Sequence, residues 1–556
     1  MSTNQGSGNI DLMGWDTVFA LRLDAVNQSI VAQKTTPATF DGVDKKGGGT
    51  VKGEWEAWSV TGGEGDGILL HCPVKSGTLT VEGLEGSHKL DGGWVEVMIT
   101  LVKEKSDAEL PDSSAKPGSG TTHVFRANQT DNQFESPKVQ GMSYDFSPGF
   151  LNYAAQDAFT AYFTDNISVF NAVFAAVREE ETAVEADKQW LKPALSVYAL
   201  ARPAEGATLE NSGFGVLSLV NPPSGSTLPQ QNFDLDMFKP FAKTETKTNS
   251  VFAVSAPLAM THIVQQSAVH CVMGATMDDF KVTNSGITVT NKNTLNWGNF
   301  VVKKGSPAVT PVIKPGDFEL TLDGMDFHLN ISQAAFTTPD GTADVKLTAD
   351  QYFNMGAVKL ANGKYYFKPD KGLGTNSIRA DVSPNKGFEI AMIIESIVIG
   401  VALGFLGAGL GEAAGEAVNG AVDGSEGVIT AGQDGIDNAL DGSGTTVEDV
   451  ENDAATDATR LIQDPESDSS GETGIVSNKW KVWGGVIGGM FGIPIGVLPQ
   501  IMTAIWNGDI HQGNVPTVDQ FATNFTGAVQ WPEVSDWQVT GGTFRSAFLL
   551  GGNAKS

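Results

Sequence analysis

The chain has 556 residues, of which 40% are hydrophobic, and its formal net charge of -29 comes from 36 Lys and Arg residues against 65 Asp and Glu residues. This apolar share supports a packed core and excludes a largely disordered chain. The strongly negative charge disfavours binding to nucleic acid, and the presence of only two cysteines excludes a disulfide-rich secreted scaffold.

The first nine residues, Met1 to Asn9, are polar and contain neither a basic segment nor an apolar core. A secretory signal peptide needs both. We therefore expect a cytoplasmic protein, or one that is released by a non-classical route.

The first apolar pattern predicts a helix over residues 12–30, with Asp11 as its N-cap. Its apolar residues recur at spacings of three and four, which would place them on one face: Leu12, Trp15, Phe19, Leu23, Val26 and Ile30. From residue 51 to residue 146 the pattern changes to short strands separated by turn residues, with a loop over residues 106–122.

A second stripe predicts another helix after Pro148. Its members are Phe159, Phe163, Ile167, Phe170, Phe174 and Val177. We expect Glu179 to lie on the solvated continuation of this helix. Strands are predicted again at residues 195–200 and 215–220.

The same order then repeats after a Pro, Gly and Ser break at residues 222–226. A helix is predicted over residues 255–271, with Ser255 as its cap and Pro257 in its first turn, then strands over 280–367, then a helix over 388–418. The chain therefore indicates two similar halves, residues 1–222 and 223–556.

Residues 420–474 contain fourteen Asp or Glu residues, one Arg and no aromatic residue. Such a composition is typical of an acidic, mobile insertion. The glycine-rich segments on either side, residues 389–418 and 480–507, show small residues every fourth position, which indicates a closely packed helical pair inside the protein.

A membrane-inserting role for those two segments is the alternative. The uncharged run at residues 396–411 has sixteen residues, short of the ~20 that a bilayer requires, and Pro494 and Pro499 interrupt the second segment. We therefore favour the buried pair and keep contact with a membrane as the alternative.

Four segments carry a resemblance to a known family: GWDTVFA at 14–20, the residues around 53–58, the glycine-rich turn at 62–65, and LLHCP at 69–73. Their layout resembles the start of the clostridial forty-seven-kilodalton protein family and its OrfX relatives. The resemblance implies an α+β fold of the tubular lipid-binding (TULIP) kind, in which long helices are wrapped by strongly curved antiparallel sheets. It also implies binding of a lipid or another apolar molecule. Since these proteins are encoded beside botulinum-type neurotoxins, it implies a toxin or a sister accessory protein as partner.

A ligand of this kind would lie where the apolar stripes of the helices face the sheet. The candidate ligand-binding residues of this apolar seam are Trp15, Phe19, Phe163, Ile167 and Phe170. Stripes at helical spacing are more often simply core packed against a sheet. In a tubular fold the two interpretations coincide, because the seam is also where an acyl chain would lie.

Catalytic signatures are absent from the sequence, which contains no G-x-S-x-G elbow, no Walker A loop and no H-E-x-x-H motif. The stretch GLGEAA at 409–414 matches a dinucleotide fingerprint, but an acidic glycine-rich segment follows it in place of a second strand. We therefore expect neither a cofactor nor catalysis, and an enzyme of unknown class is the last alternative.

Two apparent metal sites have simpler interpretations. Residues 437–448 fit part of a calcium-binding loop, but Ala439 stands where a ligand is needed. Cys72 and Cys271 each follow a histidine, yet neighbouring side chains on a strand point to opposite faces. We expect two buried thiols and no metal.

Overall fold

The computed structural model of the chain describes residues 9–106, 121–127, 137–179, 191, 193–220, 222, 227–243, 247–265, 268, 275–296, 300–301, 308–324, 326–339, 341, 343–359, 365–371, 377–384, 428–431, 529–534 and 536–555. The chain divides into two compact units. The first, here the N-unit, comprises Ile10–Val254, Phe521–Gly541 and Leu549–Ser556. The second, here the C-unit, comprises Met1–Asn9, Ser255–Gln520 and Gly542–Phe548. The similarity of the predicted halves 1–222 and 223–556 stays a prediction.

The described strands alternate with short turns along most of the chain. The first fourteen are β1 Thr17–Arg22, β2 Thr39–Val43, β3 Gly49–Trp55, β4 Ser59–Glu64, β5 Gly67–Val81, β6 His88–Lys89, β7 Trp94–Ile99, β8 Leu101–Ser106, β9 Thr121–Ala127, β10 Lys138–Met142, β11 Val173–Glu179, β12 Leu195–Ala201, β13 Gly213–Leu219 and β14 Ser250–Ser255. The others are β15 Phe280–Val282, β16 Thr288–Asn291, β17 Leu295–Asn296, β18 Phe300–Val301, β19 Ala308–Val309, β20 Val312–Ile313, β21 Phe318–Asp323, β22 Asp326–Thr337, β23 Ala343–Lys359, β24 Tyr365–Lys371, β25 Ser377–Pro384, β26 Val428–Ala431, β27 Val529–Gln530, β28 Asp536–Phe544 and β29 Ala547–Lys555.

Among the described residues, two α-helices belong to the N-unit: α1 Leu23–Gln33 and α2 Phe150–Asn166. A short 3₁₀ turn, Ile167–Val169, follows α2, and another 3₁₀ segment spans Leu235–Phe241. In the C-unit, α3 Ala256–Ala259 continues into a π-helical turn, Met260–Val264, and a 3₁₀ turn lies at Met277–Asp279.

The described strands of the N-unit form three groups. One runs in the order β12-β13-β1-β14-β29-β28, and a second runs β10-β7-β5-β3-β2, with β4 and β6 also paired to β5. A smaller sheet has the order β27-β11-β9-β8. The expectation of mostly antiparallel sheets is confirmed.

The C-unit is built around the long hairpin of β22 and β23. The strand order is β23-β22-β21-β16-β15, with β24 and β25 paired to β23 and β26 paired to β25. Its core includes Phe280, Phe318 and Phe327, all at 1% exposure or less. The predicted strands of this region are thereby confirmed where the structure describes them.

The predicted helix over 12–30 is wrong in its middle, because residues 17–22 form strand β1. The β1 strand is hydrogen-bonded on both edges, with Phe19 opposite Val216 of β13 and Phe252 of β14. A strand buried on both faces is apolar at consecutive positions, and such a short run fits a helix pattern as well as a strand. The helix begins only at Leu23, and Asp11 instead accepts a hydrogen bond from the amide of Met13.

The second predicted helix is confirmed as α2 but ends earlier than the apolar stripe. Phe174 and Val177 lie on strand β11, which pairs with β9. The prediction of a solvated Glu179 is also wrong. Its side chain is 9% exposed and lies 2.9 Å from the Nζ of Lys103 and 3.6 Å from the Nδ1 of His123. Burial of this carboxylate is compensated by charge pairing on the β8-β9-β11 sheet.

The helix predicted at residue 255 begins there, with Ser255 at the N-cap position and a proline in its first turn. Other predictions lie outside the described residues: the glycine-rich pair at 389–418 and 480–507, the dinucleotide-like and calcium-like motifs, and Cys271. Within the predicted acidic insertion, 420–474, the structure describes strand β26, which pairs with β25.

Candidate functional site

The helix α2 approaches its sheet most closely at two glycines. A Cβ atom added to Gly42 would meet the carbonyl oxygen of Ala158, and one added to Gly49 would lie 2.6 Å from the carbonyl oxygen of Ala154. Only glycine permits such contact between a helix backbone and a strand. The first three turns of α2 are therefore held against β2 and β3 by small residues.

Toward the end of α2, the contacts with the sheet are made by large aromatic side chains and not by small residues. Phe163 lies on Trp55 and Trp58, with ring centroids 5.8 and 5.5 Å apart. Phe170, after the helix, lies 4.9 Å from the Trp58 ring. Trp58, Phe163 and Phe170 are each 0% exposed, so this part of the helix–sheet contact is an aromatic interior.

The ring contacts continue across the N-unit. Phe170 contacts Phe174 at 6.4 Å, Phe174 contacts Phe214 at 5.7 Å, and Phe214 contacts Trp531 at 6.1 Å. Trp531 then contacts Phe19 at 5.4 Å. We call this series the aromatic seam, and define it as Trp55, Trp58, Phe163, Phe170, Phe174, Phe214, Trp531 and Phe19.

The candidate residues from the sequence are all buried but do not all meet. Phe163 and Phe170 share contact with Trp58, and Ile167 lies in the 3₁₀ turn between them at 1% exposure. Phe19 lies at the other end of the aromatic seam. Trp15 is not in the series, and its Nε1 donates to the carbonyl oxygen of Gln230 at 2.9 Å. A ligand-binding role for these five residues stays a prediction.

Three tryptophans of the seam, Trp55, Trp58 and Trp531, were not among the candidate residues. Trp55 and Trp58 are in the segment that carries the family resemblance, but nothing in the sequence indicated that their rings share a surface. Trp531 had no signal of either kind. It comes from a segment more than five hundred residues after Phe19, and only the tertiary fold places the two rings in contact.

The indole N–H groups of Trp55, Trp58, Trp531 and the half-buried Trp537 differ in their hydrogen-bond partners. The Nε1 of Trp55 donates to the hydroxyl of Tyr162 at 3.3 Å, and that of Trp537 donates to the hydroxyl of Ser250 at 2.7 Å. By contrast, the Nε1 atoms of Trp58 and Trp531 are buried and have no hydrogen-bond partner in the part of the chain that the structure describes.

Titratable groups beside the seam are held in their neutral forms. Burial raises the pKa of the Tyr162 phenol, whose hydroxyl donates to the carbonyl oxygen of Thr39 at 3.2 Å. Burial, and then the charge of Glu96, raises the pKa of the Cys72 thiol well above its ordinary value. A thiol that stays protonated is a poor nucleophile, so Cys72 is part of the core.

Two features are absent from the described segments: a metal-ligand cluster and an apolar helix of membrane-spanning length. There, no group of three or more His, Cys, Asp and Glu side chains is arranged to hold a metal ion. No helix within the same segments combines the length and the apolar character needed to cross a membrane.

Sequence comparison identifies the family of the chain. The sequence model of the OrfX-like family, described as Protein OrfX2/OrfX3/P47, matches residues 12–358. The chain belongs to the OrfX-like family. That match covers the whole of α1 and α2 and the strands around them.

Two curated OrfX-like relatives are similar over part of their length. Protein OrfX3 of Clostridium botulinum (strain Kyoto / Type A2) is 25% identical over 289 residues, which are 49% of this chain and 57% of the relative. Protein OrfX3 of Paraclostridium bifermentans is 25% identical over 239 residues, 38% of this chain and 46% of the relative. The matches therefore span about half the length of these relatives.

Two solved structures are similar over nearly the whole chain. The structure of P47 from Clostridium botulinum A2 has a TM-score of 0.56 at 14% identity and covers 98% of this chain and 99% of that one. The crystal structure of P47 from Clostridium botulinum E1 gives a TM-score of 0.56 at 14% identity, covering 98% and 100%. At this identity the similarity shows a common fold.

Proposed function

We propose that this OrfX-like protein is a non-enzymatic binding protein that holds a lipid or another apolar molecule along the aromatic seam of the N-unit. We further propose that its architecture is of the tubular lipid-binding kind, in which such a molecule lies between a helix and a curved sheet.

The aromatic seam is the observation that carries this proposal. Rings from strand β1, the β3–β4 region, α2, β11, β13 and the segment at 531 meet in one buried series. Ligand sites for small apolar molecules are lined mainly by such aromatic and hydrophobic side chains. The aromatic end of α2 is where a hydrocarbon chain would find apolar contacts on both sides.

Lipid extraction followed by mass spectrometry tests this proposal. The full chain is purified in three forms: wild type, Phe170→Ala and Tyr153→Ala. Phe170 lies in the seam, whereas Tyr153 is an aromatic residue of α2 at 71% exposure and serves as the matched control. We expect one stoichiometric lipid species in the wild type and in Tyr153→Ala, and a clear loss in Phe170→Ala.

Circular dichroism of each variant separates loss of the ligand from loss of the fold. A wild-type protein that yields no lipid in several preparations, and takes up none when mixed with vesicles, would contradict the proposal. A turnover activity of the pure protein toward the extracted lipid would contradict its non-enzymatic part.

Membership of the OrfX-like family supports a second part of the proposal, namely that the protein acts as an accessory component of a toxin-associated complex. Co-purification tests this directly. A tagged chain expressed in cells that carry its neighbouring genes should retain a toxin or a sister OrfX-type protein. Recovery of the tagged chain alone at physiological salt would contradict it.

A further inference from the structure

The buried indole N–H groups of the aromatic seam carry an inference about the chemistry of its ligand. We infer that the ligand is an acyl lipid whose carbonyl or carboxyl oxygen accepts a hydrogen bond from the Nε1 of Trp58. The inference rests on the proposed function, since it names the class of molecule that the seam would hold.

Trp58 holds a polar N–H group in a fully buried position. Its side chain is 0% exposed, and its Nε1 has no hydrogen-bond partner among the described residues. The great majority of buried polar groups in folded proteins are hydrogen-bonded, because an unpaired buried donor loses its water without compensation. A donor in this position is therefore complementary to an acceptor that arrives with a ligand.

The chain at residues 35–36 is joined to Trp58 by a hydrogen bond. The hydroxyl of Thr36 accepts a hydrogen bond from the Trp58 amide at 3.2 Å, which fixes the chain at residues 35–36 beside it. Thr35 precedes Thr36 in the chain, and its Oγ1 is also buried without a partner in the described part of the chain. A carboxyl or ester group has two oxygens, so it can accept from both an N–H and an O–H donor.

The remainder of the site is apolar. Around the Trp58 ring lie Trp55, Phe163 and Phe170. Trp55 offers no free donor, because its Nε1 is already bonded to Tyr162. The combination of a donor at one point and aromatic rings elsewhere fits a molecule with one polar end and a hydrocarbon chain.

The test compares three ligands that differ only in the polar group: dodecanoic acid, methyl dodecanoate and dodecane. Each displaces a fluorescent apolar dye from the full chain after lipid removal on a hydrophobic resin. We expect the wild type to bind the acid and the ester about five- to tenfold more tightly than dodecane, which is the effect of one hydrogen bond. The acid and the ester arms distinguish a free fatty acid from an esterified lipid as the source of the oxygen.

Two variants assign the hydrogen bond, and one serves as control. Trp58→Phe removes the N–H, and Thr35→Val removes the hydroxyl at nearly constant volume. Each should lower the ratio of acid or ester affinity to dodecane affinity toward one, because dodecane cannot accept the hydrogen bond that is removed. Trp537→Phe, which removes an indole donor that lies outside the aromatic seam and is bonded to Ser250, should leave the preference unchanged.

The outcomes separate the inference from the proposed function. If the wild type binds all three ligands equally, the inference is overturned and apolar binding stands. If it binds none of them, both the inference and the proposed function are contradicted. A preference that Trp531→Phe abolishes while Trp58→Phe and Thr35→Val leave it unchanged would also overturn the assignment to Trp58.

Discussion

The two helices of the N-unit are attached to their sheets by different forces. On α1, Asn27 exchanges two hydrogen bonds with the backbone of Val60, at 2.9 and 2.7 Å, and Gln33 exchanges two with Val173, both at 2.8 Å. The described bonds from α2 to neighbouring strands are longer, for example 3.2 Å from Tyr162 to Thr39.

This difference indicates which helix a ligand could displace. Moving α1 would break short, directional bonds to buried backbone groups, which are costly to leave unpaired. Moving the end of α2 would exchange one set of apolar contacts for another. A hydrocarbon chain supplies such contacts itself, so we expect ligand entry beside α2 and not beside α1.

The aromatic end of α2 should give the largest loss of stability. Phe163→Ala removes a ring that is 0% exposed, and we expect the free energy of unfolding to fall by about 3–5 kcal/mol. Chemical denaturation followed by tryptophan fluorescence measures this. The control, Tyr153→Ala, lies on the same helix at 71% exposure and should stay within about 0.5 kcal/mol of the wild type. Equal effects of the two substitutions would show that the aromatic end is not core.

Disruption of the glycine contacts should give the second largest loss of stability. In Gly42→Ala the added methyl meets the carbonyl oxygen of Ala158 and lies 2.7 Å from the Cβ of Tyr162, so α2 must shift. We expect a loss of about 1–3 kcal/mol in the same denaturation experiment. Gly149→Ala is the matched control, because nothing lies within 4 Å of its added Cβ. A Gly42→Ala protein as stable as Gly149→Ala would mean that α2 does not lie against β2.

On α1 we expect a smaller loss from a polar substitution. Asn27→Ala leaves the amide and carbonyl groups of Val60 without their side-chain partner, which should cost about 1–2 kcal/mol. Exposed Gln28 supplies the control, Gln28→Ala. Hydrogen exchange at the amide of Val60 should accelerate in Asn27→Ala alone. Unchanged exchange there would contradict the proposed attachment of α1.

The smallest effect concerns alkaline pH. Burial, and then the charge of Asp91, raises the pKa of the Tyr144 phenol, whose ring stacks on Phe159 of α2 at 6.4 Å. A raised pKa means that the folded state favours the neutral phenol. This contribution to stability is therefore complete below the ordinary tyrosine pKa of about 10 and is lost as the pH rises beyond it.

Stability curves between about pH 9 and about pH 11 measure this loss. The wild type and the control Tyr153→Phe should lose stability more steeply than Tyr144→Phe. Parallel curves for all three proteins would contradict burial of the Tyr144 phenol beside α2.

From the sequence, burial could be predicted more accurately than secondary structure. Leu12, Phe19 and Leu23 are all buried as the stripe indicated, yet Phe19 lies on a strand and Leu23 begins a helix. The pairing partners of β1 come from residues near 216 and 252, and only those distant strands decide between helix and strand for a short apolar run.

For the candidate site, local pattern identified Phe163 and Phe170 because both follow the α2 stripe. It could not identify Trp531, whose contact with Phe19 depends on the return of the chain's last segments to the N-unit. Unpaired N–H groups are likewise invisible in a sequence, because they depend on what each indole meets. Trp55 and Trp58 are three residues apart, and among the described residues only the Nε1 of Trp55 has a hydrogen-bond partner.

Photochemical labelling with a diazirine-bearing hexadecanoic acid tests the central claim most directly. The full chain is mixed with the probe, irradiated and digested, and the labelled residues are mapped by mass spectrometry. We expect labels in the two segments that meet at the aromatic end of α2, residues 55–58 and 159–174, and competition by unlabelled hexadecanoic acid. Labels confined to exposed residues such as Tyr153, or labels that excess hexadecanoic acid fails to reduce, would contradict binding in the aromatic seam.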